Sequence, residues 1–380
     1  MYLRSQKFKY SDEESFFLWG ARQTGKSTLL GKLYKNHLYI DLLLSDVFER
    51  YNRNPGLLRE AVMAWDGAQP VIIDEIQRIP ALLNEVHWLI ANTDAKFILS
   101  GSSPRKIIKS GTNLLGGRAL RYELYPLIKK EIPDFDLLRA LNHGLLPRHY
   151  LSERPQKLHS AYVGSYLQDE IIAEAKIRNI GSFTRFLEIA AFSNGEMVNY
   201  SHIGSECGVS PPTVREYFQI LEDTLIGRFV PSFQKKPKRR IIQSPRFYYF
   251  DVGIANYLLK RGNILPGSET FGKAFEHYIY HEIYAHRHYT QTDYPISYWR
   301  TTSGLEVDFI LGDHEVAVEV KATPSASARH LKGLKSFAEE YSVKRKVLVS
   351  LDPLPRKAGD IDILPWERFL ELLWNGEIIT

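Results

Sequence analysis

Gly20-Ala21-Arg22-Gln23-Thr24-Gly25-Lys26-Ser27 is the stretch on which the fold turns. It fits G-x-x-x-x-G-K-[ST], and its flanks suit it: SFFLW before it reads as a strand, TLLGKLY after it as a helix. Glycines let the backbone wrap an anion so that its N–H groups point inward. The helix that begins there turns the positive end of its dipole toward the same point. Such a loop cradles phosphates, with Lys26 reaching the β- and γ-phosphates and Ser27 ligating Mg²⁺. Gly20, Gln23, Thr24, Gly25, Lys26, Ser27 and Thr28 are the expected nucleotide-binding set within it.

Downstream, Val71-Ile72-Ile73-Asp74-Glu75 is an apolar run ending in two carboxylates. Asp74 is the expected magnesium-linked acid. Glu75 is placed to polarise an attacking water as general base. A further strand, KFILSGSS, ends in hydroxyls, of which Ser100 or Ser102 can bond the water or the γ-phosphate; an ordinary strand-end turn is the plainer alternative. Arg105, Arg118 and Arg121 follow. A ring or dimer ATPase needs a cation from a neighbouring subunit, and Arg118, after Gly116-Gly117, is the first candidate, against the alternative of a solvated arginine.

The rest of the chain has three textures. Residues 1–130 alternate β-branched strands (SFFLWG, HLYIDL, PVIIDE, KFILSGS, RYELYPL) with helical stretches, the pattern of an α/β domain with a largely parallel sheet. Residues 131–264 begin mostly helical. Residues 265–380 read helix, three strands (PISYWR, LEVDFIL, EVAVEV), helix, strand. With 380 residues, 44% hydrophobic and 24% charged, the composition is that of a folded multidomain protein and argues against global disorder. No apolar run approaches the roughly 18 residues that span a bilayer, so no membrane partner is expected. MYLRSQKFKYSDEES lacks the apolar stretch of a secretory signal. A single cysteine, Cys207, excludes an intramolecular disulfide and any zinc site built on two cysteines, and suits a reducing cytoplasm. His277 and His281 are four apart on an expected helix, read as ordinary surface histidines for want of a third ligand.

Residues 201–226, SHIGSECGVSPPTVREYFQILEDTLI, have the grammar of a helix-turn-helix. Ile203 and Cys207 share a face, Gly208 breaks the first helix, and Ser210 and Pro211 start the second. Val214, Phe218, Leu221 and Leu225 follow helical spacing and face inward, leaving Thr213, Arg215, Glu216 and Gln219 outward, as on a recognition helix. Two β-prone stretches then flank Lys235-Lys236-Pro237-Lys238-Arg239-Arg240. A hairpin tip so basic is placed to meet phosphates, so DNA is the expected partner through Arg215, Lys235, Lys236, Lys238, Arg239 and Arg240; a solvated loop is the alternative. The overall charge of +5 is only mildly basic and decides nothing by itself.

Near the C-terminus, Asp308 in LEVDFIL and Glu319-Val320-Lys321 in VAVEVKA lie on two strands joined by Gly312-Asp313-His314. Glu319 and Lys321 are two apart and share a face. D-x10-E-x-K is similar to the PD-(D/E)XK nuclease motif, in which two carboxylates hold Mg²⁺ and a lysine positions water. Charged residues on the exposed edge of a small sheet give the same pattern. More widely, DEIQRIP, ILSGSS, GGRALRYELYPL, PRFYYFDVGIANYLL and SGLEVDFIL…VAVEVKAT resemble a family of prokaryotic AAA-type ATPases fused to a winged helix and a restriction-endonuclease-like C-terminal domain. The resemblance spans nearly the whole chain. It implies the AAA fold, ATP binding and Glu75 as the hydrolytic carboxylate, while the similarity to the PD-(D/E)XK motif implies Glu276, on the preceding helix, as that fold's additional acidic position.

The expected architecture is α/β: a P-loop AAA-type parallel-sheet domain, a helical winged-helix domain, and an α/β nuclease-like domain. The expected activity is ATP binding and hydrolysis near nucleic acid, with Mg²⁺, a homo-oligomer as a partner state, and a metal-dependent nuclease as a further option. The alternative is a nucleotide-switched DNA-binding regulator whose nuclease fold is inactive.

Overall fold

The computed structural model describes residues 2–9, 13–35, 37–65, 69–109, 115–171, 179–235 and 239–379. The chain divides into two compact units. The first comprises Met1–Leu127, Leu146–Arg148 and Gln219–Ile226, the second Ile128–Leu145, His149–Phe218 and Gly227–Thr380. No helix among the described residues is long and apolar enough to cross a membrane.

The first unit is built on five parallel strands: β1 (Ser15–Trp19), β2 (Tyr39–Asp41), β3 (Val71–Asp74), β4 (Phe97–Gly101) and β5 (Ala119–Glu123), in the order β2-β3-β4-β1-β5. Sequence neighbours β1 and β2 are far apart in the sheet because β3 and β4 lie between them. The helices α1 (Lys26–Leu33), α2 (Ser45–Arg53), α3 (Leu57–Met63), α4 (Leu82–Asn92) and α5 (Arg105–Lys109) alternate with the strands. A sheet covered on both faces explains why its strands read as unbroken apolar runs. Phe16, Leu18, Ile72, Ile73, Ile98 and Leu99 are all at most 1% exposed, each contributing roughly 1.5–3 kcal/mol of burial. The register sets Asp74 beside Ser100 and Leu18 beside the same serine, so the C-terminal ends of β1, β3 and β4 converge. Ligands gather at that edge of open α/β sheets.

Helix Tyr200–Cys207 of the second unit turns through Gly208 into helix Pro211–Asp223, whose residues from Gln219 onward are counted with the first unit. Ile203, Cys207, Val214, Phe218 and Leu221 are at most 2% exposed and Leu225 6%, as their spacing required, while Arg215, Glu216 and Gln219 are exposed. β6 (Gly227–Val230) then pairs antiparallel with β7 (Arg246–Tyr249). After helix Glu269–Tyr289 come β8 (Ile296–Arg300), β9 (Glu306–Leu311), β10 (Val316–Lys321), β11 (Arg345–Ser350), β12 (Arg356–Ala358) and β13 (Ile361–Pro365). They form one mixed sheet, β12-β13-β11-β10-β9-β8, with helix Lys332–Glu340 between β10 and β11.

The basic stretch falls, as expected, in the connection between the antiparallel strands β6 and β7, and its described flanks lie along β8. β8 is an edge strand, and the chain on both sides of the basic run covers it. Phe233 N–H donates to Tyr298 O (2.7 Å), Tyr298 N–H to Pro231 O (3.0 Å), Ile242 N–H to Arg300 O (2.9 Å) and Thr302 N–H to Arg240 O (3.0 Å). An open edge offers unpaired donors and acceptors, and this segment satisfies them. Phe233 adds an apolar anchor beside Trp299 and Phe337 in the core under the sheet. The histidine pair departs from its surface reading. His277 and His281 are buried, and His277 Nε2 bonds Tyr249 O at 2.7 Å; burial pushes the His277 imidazole down to about 3, so it stays neutral.

Asp251, in the FDVGIAN stretch, fastens two segments of the second unit. It caps helix Val252–Leu258 by accepting from Ile254 N–H (3.0 Å), and its other oxygen accepts from Leu145 N–H (2.6 Å). Asp251→Ala loses a helix cap and strands a buried donor, at a cost of roughly 2–4 kcal/mol. Urea unfolding followed by fluorescence should show the second unit's midpoint falling, while Asp251→Asn retains part of the loss.

Candidate nucleotide site and the carboxylate cluster

The loop between β1 and α1 has the backbone its glycines were expected to supply. Gly25 sits at φ 95°, a left-handed conformation open to glycine at little cost, and Gln23 joins it at φ 64°. A Cβ on Gly20 would lie 2.4 Å from the Leu124 carbonyl oxygen. Thr24 is buried and donates to Ala21 O (2.9 Å). Lys26 is 6% exposed, with Nζ on Gly20 O (2.7 Å) and Ala21 O (3.4 Å). Burial lowers the Lys26 ammonium from its ordinary value despite the charges of Glu75 and Asp74. Ser27 and Thr28 are exposed at the start of α1.

Asp74 gathers this site. Its Oδ2 accepts from Ser27 Oγ (2.7 Å) and Tyr39 Oη (2.6 Å), its Oδ1 from Ser100 Oγ (2.5 Å) and Glu75 N–H (3.1 Å). Burial alone would push the carboxyl up. Hydrogen bonds from Ser100, Tyr39 and Ser27 and the charge on Lys26 outweigh it, so Asp74 lies below the usual range and is ionised. Ser27 and Asp74 are hard oxygen donors brought into contact beside a phosphate loop, so these residues fit Mg²⁺.

Glu75 adopts φ 58°, uncommon for a glutamate, and turns directly into the 3-10 helix Ile76–Arg78. That turn brings Gln77 back over Glu75. Gln77 is 5% exposed; its amide donates to Glu75 Oε2 and to Ser102 Oγ (3.0 Å), and Ser102 Oγ lies 3.4 Å from Glu75 Oε2. The fit is close: a Cβ on Gly101 would lie 2.2 Å from Gln77 Oε1 and 2.6 Å from the Trp19 ring. The general-base candidate is therefore held by a buried amide and a serine.

Reading motifs left Tyr39 and Gln77 without a role, along with Arg4, whose guanidinium donates to Thr24 O (2.6 Å) and Tyr125 O (2.5 Å). DEIQ contained a signal for Gln77, a polar residue two after the glutamate; nothing in HLYIDL marked Tyr39. Of the arginines, Arg105 is 2% exposed and paired with Asp223, which removes it from any surface role. Arg121 pairs with Glu123 (2.7 Å). Arg118 is exposed, with Nη1 at 2.8 Å from His87 Nε2.

In the second unit, Arg215 lies over the Tyr200 ring at 4.7 Å and Arg240 is exposed. Lys235 is paired with Asp313, and Arg239 with Glu340 (2.6 Å) and Glu339 (2.5 Å). Lys236 and Lys238 fall outside the described residues.

Glu276, Asp308, Glu319 and Lys321 do come together. Lys321 Nζ is 2.7 Å from Glu319 Oε1 and 3.6 Å from Asp308 Oδ2, which also accepts from Val320 N–H (2.9 Å). Burial raises the Glu319 carboxyl well above its ordinary range, with the Asp308 charge adding to it against Lys321. Burial and then Asp308 push Glu276 up to about 7, against Arg246. Arg246, from β7, was not anticipated. It is 2% exposed and reaches Glu276 Oε1 (3.5 Å), Asp308 Oδ1 (3.6 Å) and Glu306. Among the described residues, no group of three or more His, Cys, Asp or Glu is arranged to hold a metal ion. Two buried carboxylate oxygens, Asp308 Oδ1 and Glu319 Oε2, have no hydrogen-bond partner, so this pair retains oxygen donors for the metal implied by D-x10-E-x-K.

Three family matches lie along the chain: an AAA domain over residues 12–132, a domain of unknown function (DUF8612) over 134–264, and a domain of unknown function (DUF4143) over 271–369. An uncharacterized protein of Mycobacterium tuberculosis is 24% identical over 322 residues, covering 82% of this chain and 70% of the relative. An uncharacterized protein of Methanocaldococcus jannaschii is 21% identical over 420 residues, covering 95% and 85%. Among solved structures, the Aeropyrum pernix ORC1 protein in complex with DNA aligns at 12% identity and a TM-score of 0.24, over 65% of this chain and 86% of that one. A signal transduction ATPase with numerous domains, carrying a tetratricopeptide repeat sensor, from Pyrococcus horikoshii aligns at 12% and 0.22, over 74% and 46%. The AAA match over residues 12–132, the five parallel strands and the glycine loop agree on a P-loop domain of AAA type in the N-terminal part of the chain.

Proposed function

We propose that the chain binds Mg·ATP at the loop Gly20–Ser27 and hydrolyses it with Glu75 as general base. The observation that carries this is the Asp74 carboxylate, ionised and in contact with Ser27 beside a buried Lys26. Lys26, on loop carbonyls in a site that disfavours its charge, gains most from a phosphate, which supplies the counter-anion. Gly20, Gln23, Thr24, Gly25 and Thr28 would wrap the phosphates, and Ser100 would hold Asp74 in line. Mg²⁺, held by Ser27 and Asp74 when bound, offsets charge on the phosphates. Glu75 accepts the proton of the attacking water, and Gln77 with Ser102 fixes the direction in which its carboxylate points. Arg118 is the proposed cation supplied to a neighbouring copy in a homo-oligomer, its exposure being the support.

The remaining chain, 131–264 and 265–380, is proposed as a winged-helix module and a nuclease-like module acting on DNA in the cytoplasm. Support for DNA is the exposed face of helix Pro211–Asp223 with Arg215, and Arg240 beyond it. Lys235 and Arg239 are left out, because carboxylates already satisfy them.

Lys26→Ala should abolish nucleotide binding in a calorimetric titration. Glu75→Gln should keep binding and lose about 10²–10⁴ in kcat; normal turnover in that variant sinks the general-base assignment. Gln77→Ala should lower kcat at unchanged nucleotide affinity, whereas a change in affinity alone would place Gln77 outside the chemistry. For DNA, Arg215→Ala and Arg240→Ala should each reduce the slope of log affinity against log salt by about one, and Lys235→Ala should leave it unchanged. The reverse ranking returns the basic tip to the role of phosphate contact.

A further inference from the structure

We propose that Arg246 is a built-in cation of the C-terminal carboxylate cluster that competes with a divalent ion for Asp308 and Glu276. Three carboxylates from two elements converge on its guanidinium: Glu276 from helix Glu269–Tyr289, and Glu306 and Asp308 from β9. The side chain is 2% exposed, and its guanidinium lies 4.7 Å from the Tyr298 ring centroid, so an aromatic face backs it opposite the acids. Its backbone is pinned in β7 opposite Val230. Tyr248, two residues on, donates to Glu276 Oε1 at 2.6 Å and fixes the same carboxylate.

Other oxygens of the cluster are engaged too, while Asp308 Oδ1 and Glu319 Oε2 are buried without a hydrogen-bond partner. Glu306 Oε2 meets Arg300 (2.8 Å), and Glu319 Oε1 and Asp308 Oδ2 meet Lys321 (2.7 and 3.6 Å). Four carboxylates thus face three cationic side chains. A Mg²⁺ ion demands oxygens at about 2.0–2.1 Å in octahedral array, and here Glu276 Oε1 and Asp308 Oδ1 already face a guanidinium that an ion bound to them would have to displace. Its departure would expose three carboxylates to one another in a buried place, the situation in which like charges are most costly. Arg246 therefore ties the β6–β7 ribbon that follows the helix-turn-helix to the six-stranded sheet. Asp308 is the motif residue that takes part in this tie.

Mn²⁺ is the probe, with the full chain free of nucleotide. Its binding is followed by loss of the free-ion paramagnetic resonance signal, in an Asp74→Ala background that removes the loop's own metal donor. The chain with Arg246 should show no Mn²⁺ binding that depends on Asp308, so Asp308→Asn leaves the titration unchanged. Arg246→Met, which keeps the stem and removes the charge, should gain a Mn²⁺ site that Asp308→Asn abolishes. Binding by the Arg246 chain that Asp308→Asn removes overturns the proposal, as does a folded Arg246→Met variant that gains none. If Arg246→Met fails to fold, the first comparison decides alone.

Discussion

A single buried carboxylate organises the N-terminal unit. Asp74 ends β3 and receives four hydrogen bonds, from Ser27 at the start of α1, Tyr39 on β2, Ser100 on β4 and the next backbone N–H. Two neighbouring strands and the loop helix are thereby fixed to one anion, which stays ionised against its own burial. The same four bonds determine where Glu75 begins its left-handed turn, and so where its carboxylate points. Structure and chemistry share one constraint: without an ionised acid at that strand end, neither Ser27 nor Ser100 has a partner.

The second unit is ordered by the same principle, with opposite consequences. Around Asp308 the anions are met by cations from within the chain, Arg246 and Lys321. Around Asp74 they are met by hydroxyls and a backbone amide. Hydroxyls around a carboxylate suit a hard metal ion and its phosphates, whereas a guanidinium competes with such an ion for the same oxygens. Two clusters that look alike as strings of acids and lysines are thus prepared for different partners.

The N-terminal sheet was legible because its information is local. Apolar runs mark strands buried on both faces, and the loop needs its glycines next to one another. The strand order β2-β3-β4-β1-β5 was not legible, since no residue records that β4 inserts beside β1. Tyr39 and Gln77 escaped because their roles depend on what lies across the sheet and over a turn. The helix-turn-helix was legible from its spacing, and Val214, Phe218 and Leu221 are buried accordingly. The surroundings of the basic run were not legible for a related reason: only the fold sets the acids Asp313, Glu339 and Glu340 beside Lys235 and Arg239. Arg246 lies 62 residues before Asp308 in sequence, and only the fold brings the two together.

Calorimetric titration of ATP into the intact chain, once with Mg²⁺ and once with the metal chelated, tests the central claim most directly. The Asp74-centred site predicts one nucleotide per chain, bound markedly more tightly with the ion than without it. No heat in either titration, or affinity indifferent to the ion, would contradict it.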